Sequence, residues 1–188
     1  MAISDSDILS TLSAHLERYP GEAELLSEPV RLLSQGGEGE GFASRRNFVM
    51  HVTVGALLVR NNAEVLLVDH LSYGITLQPG GHLEPDDPTL IDAAVRELTE
   101  ETGVDPGEVL PASPQSPVYI EYGLVPARPW KDEPEHFHLD IGFAFTTDGD
   151  VGRIQESEVS GAAWYPLAEA ESLVGRRIAR AVTAADVG

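Results

Sequence analysis

The sequence lacks cysteine entirely: none occurs among its 188 residues. Disulfide bonds, thiolate metal sites and cysteine nucleophiles are therefore excluded. A reducing compartment is compatible with this composition.

Positive charge is scarce, because 12 lysines and arginines stand against 31 aspartates and glutamates, for a formal net charge of -19. A long polyanion would meet net repulsion and few cations to neutralise its phosphates. We therefore expect no nucleic-acid partner. The negative charge is consistent with a protein that binds small anions as metal complexes. It is equally consistent with a surface that serves solubility alone.

Long apolar runs are also missing. The sequence has no stretch of about 18 apolar residues and no basic start followed by an apolar block, so it predicts neither a membrane span nor a secretory signal. A cytoplasmic location is the default expectation. Hydrophobic residues still make up 42% of the chain, which is enough for the core of one domain.

The most informative feature present is a glycine pair, Gly80-Gly81, followed by a helical pattern with an apolar side. Three acids follow at three- and four-residue spacing: Glu97, Glu100 and Glu101. On a helix they share one face, where like charges raise each other's proton affinity. The usual relief is a hard divalent cation bound through oxygen, so the pattern predicts a metal site.

This segment resembles the signature of the Nudix hydrolases, which reads G, five residues, E, seven residues, R-E-U-x-E-E-x-G-U, where U is a bulky aliphatic. The second half matches at every specified position from Arg96 to Val104. In the first half, Asp87 stands where the motif has Glu, and eight residues separate it from Arg96. We interpret this as a one-residue insertion, with Asp87 capping the helix and Pro88 at its first position.

The resemblance implies an α/β fold, a Nudix-type α/β/α sandwich with a mixed sheet. It also implies an Mg²⁺-dependent pyrophosphohydrolase, with Mn²⁺ as a substitute, that cleaves a phosphoanhydride bond in a small nucleoside diphosphate linked to a group X. The metal ligands implied are Gly80, Glu97, Glu100 and Glu101. The catalytic residues implied are Arg96, Glu97, Glu100 and Glu158.

Glu158 enters this set because many family members supply a further acid from a later loop. It lies six residues before Trp164, and Glu156 is its competitor. A solvated surface glutamate is the alternative interpretation of either residue.

Substrate contacts are predicted from the glycine loop and from a row of alternating polar residues. On a strand, His136, His138 and Asp140 would project from one face. Such a row could contact a phosphate, accept a proton or bind a transition metal, although no fourth ligand is identifiable, and a plain polar face remains the alternative. Gly81 and His82 complete the predicted substrate-binding set.

The chain is predicted to comprise an N-terminal helical extension with a Gly/Glu-rich linker at residues 1–41 and a Nudix domain at residues 42–188. The expected helices are residues 4–18, with Ser4 or Ser6 as cap, residues 23–33, the signature helix, and a last helix to about residue 182. The expected strands are residues 48–59 and 65–68 as a hairpin, 118–125, 137–145, and one ending near residue 166.

Two other functional classes stay open from the sequence. The chain could be a non-catalytic nucleotide-binding or regulatory module that keeps the fold, a hypothesis that degenerate signature glutamates would favour. Alternatively, residues 1–35 could be an interaction arm that makes assembly the central role. A small-molecule diphosphate is the expected partner, no membrane is expected as a partner, and a homodimer is left open.

Overall fold

The computed structural model describes residues 3–36, 40–112 and 115–185. The helices are α1 (Asp5–Arg18), α2 (Ser27–Gln35), α3 (Leu90–Thr102), α4 (Leu167–Val174) and α5 (Arg177–Ala185). The strands are β1 (Met50–Arg60), β2 (Glu64–His70), β3 (Ile75–Leu77), β4 (Gly80–His82), β5 (Leu110–Pro111), β6 (Tyr119–Val125), β7 (His136–Thr146) and β8 (Val159–Pro166).

Within the described ranges the strands form an eight-stranded sheet of order β3-β2-β1-β7-β5, in which β4 pairs with β1, β6 with β7 and β8 with β2. β2 is antiparallel to β1, β3 and β8, and β5 is antiparallel to β7. Between β7 and β1, Phe137 N–H donates to the Val49 carbonyl and Thr147 N–H to the Val59 carbonyl, so residue numbers rise together as in a parallel pair. The predicted mixed α/β fold is therefore confirmed.

The chain divides into two compact units. The first comprises Met1–Val54, His82–Ala93 and Ile120–Ile141, and the second comprises Gly55–Gly81, Ala94–Tyr119 and Gly142–Gly188. The predicted boundary between residues 41 and 42 stays a prediction.

In the first unit, α1 begins where its sequence indicates. The Ser4 hydroxyl accepts a hydrogen bond from Asp7 N–H at 3.2 Å, and the Asp7 carboxylate accepts one from Ser4 N–H at 2.9 Å, which makes a capping box. The predicted N-terminal helix and its Ser4 cap are thus confirmed. α2 begins at Ser27 instead of residue 23, because Pro20–Glu22 forms a 3₁₀ turn first. The predicted linker falls partly outside the described residues, since positions 37–39 are not among them.

The start of α3, also in the first unit, differs from the prediction. The Thr89 hydroxyl accepts from Asp92 N–H at 3.1 Å and donates to the Asp92 carboxylate at 2.7 Å, so Thr89 is the cap. Asp87 instead accepts from Glu84 N–H at 2.7 Å and closes a turn before the helix. The prediction that Asp87 caps the helix with Pro88 at its first position was wrong.

In the second unit, β1 and β2 form the predicted hairpin. Val59 pairs with Val65, and Arg60 pairs with Glu64. Asn61, Asn62 and Ala63 join them, and Ala63 N–H donates to the Arg60 carbonyl at 3.1 Å. Asn61 and Asn62 have φ values of 53° and 50°, left-handed conformations that asparagine tolerates in a tight turn.

The C-terminal helix predicted as one segment is two helices in the second unit. Gly175, with φ of 79°, ends α4, and α5 begins at Arg177. Both helices contribute to a buried apolar cluster that also contains side chains of the hairpin. Its members include Leu57, Val59, Val65, Leu67, Ala170, Ile178 and Ala181.

Among the described residues, none of the helices is both long enough and apolar enough to cross a membrane.

Candidate active site

The glycine loop and α3 approach each other closely in the second unit. A Cβ atom added to Gly81 would lie 2.6 Å from the carboxylate atoms of Glu97. Gly80 N–H donates a hydrogen bond to Glu101 Oε2 at 3.0 Å. A glycine is therefore required at position 81, because any side chain there would displace the glutamate.

The three helical glutamates differ in environment. Glu97 is 7% exposed and Glu101 is fully buried, whereas the side chain of Glu100 is 46% exposed. The Oε1 atom of Glu101 has no hydrogen-bond partner. A buried carboxylate oxygen without a partner is costly, so these residues form more than a solvated helix face.

Arg96 holds two of the glutamates. Its Nη1 atom lies 3.0 Å from Glu97 Oε1 and 3.0 Å from Glu100 Oε2. A single guanidinium nitrogen thus bridges two carboxylates. The bridge fixes the spacing of the two side chains on the helix surface.

Burial raises the pKa of Glu97 to about 7, an effect that the charge of Arg96 opposes. Burial also raises the pKa of Glu101 to about 8, opposed by the hydrogen bond from Gly80 and reinforced by neighbouring glutamates. Both carboxyl groups therefore hold their protons far more tightly than an exposed glutamate does. A divalent cation would replace those protons, and an all-oxygen donor set suits Mg²⁺ or Mn²⁺.

The end of α3 is fastened to the loop that carries Glu158. Gly103 ends the helix with φ of 67°, and a side chain there would collide with the backbone of Arg153. Gly152 N–H donates to the Thr102 carbonyl at 3.0 Å, and Gln155 N–H donates to the Glu101 carbonyl at 3.3 Å. The last glycine of the signature thus allows two backbone segments to meet.

Glu158 lies on this loop and is exposed. Its negative charge contributes to the raised pKa of Glu97 and of Glu101. This electrostatic coupling favours Glu158 over Glu156 as the additional acid.

The three predicted histidines, His82, His136 and His138, lie in the first unit. There they lie against His51, which was not predicted as a site residue. We call His51, His82, His136 and His138 the histidine cluster. His82 Nε2 lies 3.2 Å from His51 Nε2, and His136 Nε2 lies 3.0 Å from His138 Nε2. The ring centroids of His51 and His138 are 4.4 Å apart.

Two observations link His51 on β1 to the predicted polar row on β7. It alternates with Thr53 along β1 in the same way that His138 alternates with Asp140 along β7. The Thr53 hydroxyl donates to Asp140 Oδ1 at 3.0 Å. The alternation was visible in the sequence, but only folding places the two rows side by side.

Burial dominates the electrostatics of three of these histidines. It lowers the pKa of His51 to about 4, that of His82 to about 3 and that of His138 to about 3. These imidazoles are neutral at pH 7. A contribution from them to phosphate binding would come from hydrogen bonds and not from positive charge.

The sequence-predicted residues therefore fall into two groups. The second unit brings together those of the glycine loop, α3 and the later loop, namely Gly80, Gly81, Arg96, Glu97, Glu100, Glu101 and Glu158. The first unit brings together His82, His136 and His138, with Asp140 on the same strand. Their individual roles stay predictions.

The fold and the signature define the class of this protein. The model of the NUDIX domain family matches residues 49–185, and the chain belongs to this family, as its signature predicted.

Curated relatives agree over part of the chain. Phosphatase NudJ of Escherichia coli strain K12 is 41% identical over 83 residues, which are 43% of this chain and 49% of the relative. Phosphatase NudJ of Shigella flexneri matches to the same extent, with 41% identity over 83 residues. The chain thus spans about half the length of these curated relatives, 49% in each case.

Solved structures share the fold at lower identity. A NUDIX-family hydrolase from Clostridium perfringens has a TM-score of 0.55 at 22% identity, covering 73% of this chain and 97% of its own. An Ap4A hydrolase from C. elegans, solved as a binary complex, has a TM-score of 0.51 at 17% identity, covering 69% and 93% of the two chains. These likenesses show the Nudix fold.

Proposed function

We propose that this protein is a Mg²⁺-dependent hydrolase, with Mn²⁺ as a substitute, that cleaves a phosphoanhydride bond in a small nucleoside diphosphate linked to a group X. One observation carries the proposal. Glu101 is fully buried beside the glycine loop, and one of its carboxylate oxygens has no hydrogen-bond partner. A bound cation would satisfy that oxygen and repay the cost of burying the carboxylate.

Glu97, Glu100 and Glu101 would hold the metal together with the carbonyl of Gly80. When bound, Mg²⁺ would neutralise the charge that develops on phosphate oxygens and would lower the pKa of a coordinated water. Hydrolysis also requires that a water molecule be oriented and lose a proton.

Arg96 would keep the metal ligands in place, and Glu158 would act on the water. Arg96 bridges Glu97 and Glu100 and so keeps two ligands at a fixed spacing. Glu158 is exposed and acidic, which suits a group that accepts a proton from the attacking water. Gly81 would let the backbone of the loop approach the diphosphate without a side chain in the way.

Hydrolysis is favoured over a purely binding function by the glutamates themselves. All three helical acids of the signature are present, and two of them are buried at a cost that nucleotide recognition alone does not require. Among the compared proteins, one is named a phosphatase and another an Ap4A hydrolase. Both names support hydrolytic chemistry for this chain.

The decisive experiment supplies a panel of nucleoside diphosphates linked to sugars, to phosphate and to a second nucleoside, with Mg²⁺ and without it. Release of phosphate, pyrophosphate and nucleoside monophosphate is followed for the wild type and for Glu101→Gln. We expect turnover that requires the cation and falls at least about a hundredfold in the variant. Glu169→Gln, which alters an exposed glutamate of α4, is the matched control and should retain activity.

Binding of a nucleotide without turnover, in the presence of Mg²⁺, would instead establish the non-catalytic module. The contacts of His82, His136, His138 and Asp140 with substrate, the homodimer and the cytoplasmic location remain predictions. Deleting residues 1–35 and measuring both molecular mass and turnover tests the role of the N-terminal extension.

A further inference from the structure

The histidine cluster is built from three separate segments of the first unit. His51 lies on β1, His82 follows the glycine pair, and His136 and His138 lie on β7. One ligand nitrogen from each of His51, His82 and His138 lies within 4.8 Å of the other two. Segments distant in sequence therefore converge on one small volume.

We propose that His51, His82 and His138 form a binding site for a borderline divalent cation of the Zn²⁺ type, distinct in its ligands from the carboxylate site. Imidazole nitrogen suits Zn²⁺, Co²⁺ and related ions, whereas Mg²⁺ prefers oxygen. The chain would thus hold two classes of metal ion on two sets of residues.

The spacing of the His51 and His82 nitrogens fits one shared ion. Two imidazole nitrogens, each about 2.0 to 2.1 Å from a tetrahedral Zn²⁺, lie about 3.3 Å apart. The Nε2 atoms of His51 and His82 are 3.2 Å apart. Three histidine ligands and an open fourth position are the arrangement of several zinc sites that take water or a substrate oxygen.

The tautomer of His51 is already set for metal binding. Its Nδ1 lies 3.1 Å from the Asn47 carbonyl oxygen, which can only accept, so the ring donates its proton there. In the neutral ring, Nε2 then carries a lone pair and points at His82. A metal-bound histidine ordinarily makes such a hydrogen bond to a carbonyl through its other nitrogen.

His136 supports His138 in the same way. Its Nδ1 donates to the Pro134 carbonyl at 2.7 Å, so in the neutral ring its Nε2 accepts the Nε2 proton of His138 at 3.0 Å. In that tautomer of His138, the lone pair that can bind an ion is on Nδ1. We therefore assign His136 a positioning role.

The alternative is a cluster of histidines that hydrogen-bond to one another and to backbone carbonyls and bind no metal. The two arrangements differ in whether the chain binds Zn²⁺ stoichiometrically.

The test uses the full chain without a histidine tag, in excess Mg²⁺ so that the carboxylate site is saturated. Zn²⁺ binding is followed by calorimetry, and Co²⁺ binding by its visible absorption. We expect one Zn²⁺ per chain and the intense absorption bands of tetrahedral Co²⁺. The absence of cysteine means that no thiolate contributes to the signal.

Variants assign the ligands. His51→Gln and His138→Gln should each weaken Zn²⁺ binding by at least about a hundredfold, and His136→Gln by about 10- to 100-fold. His70→Gln is the matched control, because His70 lies on β2 in the second unit and outside the cluster, so it should bind as the wild type does. Glu101→Gln should also retain Zn²⁺ binding, which separates this site from the proposed hydrolytic one.

Zn²⁺ affinity unchanged in His51→Gln or in His138→Gln, or an octahedral Co²⁺ spectrum, would overturn the proposal. If a variant fails to fold, X-ray absorption of the Zn²⁺-loaded wild type decides by counting imidazole ligands. Three imidazoles would support the site, and fewer than three, or no stoichiometric binding, would refute it.

Discussion

At the scale of single residues, the candidate active site depends on the close approach of Gly81 and Glu97. The carboxylate occupies the space where a Cβ atom would stand, at 2.6 Å. The obstructing atoms are the far end of a flexible side chain. A substitution there should therefore move the glutamate more than it disturbs the fold.

We expect Gly81→Ala to lower turnover by about a hundredfold, because a displacement of about 1 Å in a catalytic group can cost that much. The melting temperature should change little. Gly123→Ala is the control, since a Cβ atom at Gly123 has no neighbouring atom within 4 Å. Steady-state kinetics and thermal melts of both variants check the prediction, and wild-type activity in Gly81→Ala would contradict it.

The identity of the additional acid is also a question of single residues. We expect Glu158→Gln to reduce turnover by about 100- to 10,000-fold, the range for a lost general base, and Glu156→Gln to have little effect. Glu158 is coupled electrostatically to Glu97 and Glu101, and both loop acids are exposed, so folding should be unaffected in either variant. The measurement is the pH profile of kcat/KM. The reverse ranking would assign the role to Glu156.

At this scale, local spacing predicted which side chains share a strand face but not which residues from other segments lie beside them. His136, His138 and Asp140 were predicted to share a strand face, and they lie on β7 with alternate spacing. His51 was missed because residues 48–59 were interpreted only as a β-branched and aliphatic strand. Its partner His82 is 31 residues away along the chain, a separation that no local periodicity reports.

At the scale of elements, the start of α3 determines the position of the glutamates along the helix. Thr89 caps the helix through its hydroxyl, and the signature glutamates follow in the second and third turns. The prediction placed this cap two residues earlier, at Asp87. Both residue types are good caps, so composition could not choose between them.

We expect Thr89→Ala to lower the free energy of unfolding by about 1 kcal/mol, because it removes the partner of an amide in the first helical turn. Thr89→Ser keeps the hydroxyl and should recover most of this loss. Urea denaturation of both variants in the absence of metal is the measurement. Equal stability of Thr89→Ala and the wild type would show that another group caps the helix.

The strand pattern was predicted better than the C-terminal helices. The β1–β2 hairpin follows from Asn61-Asn62 between two β-branched runs, a local signal. The break at Gly175 was missed, although a glycine with positive φ is a common helix end, because the apolar periodicity continues on both sides of it. The strands β3, β4 and β5 are only two or three residues long, which is too short for a periodic signal.

At the scale of the whole molecule, the buried carboxyls link stability to pH and to metal. The native pKa values of Glu97 and Glu101, about 7 and about 8, lie above the ordinary value of 4.5. Their contribution to metal-free stability is fully present below the unfolded pKa, and it is lost as the pH rises through the folded values. A cation that replaces the protons should restore it.

We therefore expect the metal-free protein to lose stability between about pH 6 and about pH 8.5, and the gain in melting temperature from Mg²⁺ to be larger at the higher pH. In the variant carrying both Glu97→Gln and Glu101→Gln, both effects should be largely absent. Thermal melts at the two pH values, with Mg²⁺ and with a chelator, provide the test. A Mg²⁺ gain that is the same at both pH values would argue against these carboxyls as ligands.

The sequence by itself determined the features that depend on local spacing. These are the first helix with a serine cap, the hairpin, the shared helix face of Glu97, Glu100 and Glu101, and the family to which the chain belongs. Each depends on residues close together in the chain, where the backbone period fixes which side chains point the same way.

Only the tertiary structure determined the burial of those side chains and their long-range contacts. It buried Glu101 and left one of its oxygens without a partner, and it brought His51 to 3.2 Å from His82. Burial and long-range contacts arise when separate segments pack together, and they set the pKa values and the ligand geometry on which the chemistry depends.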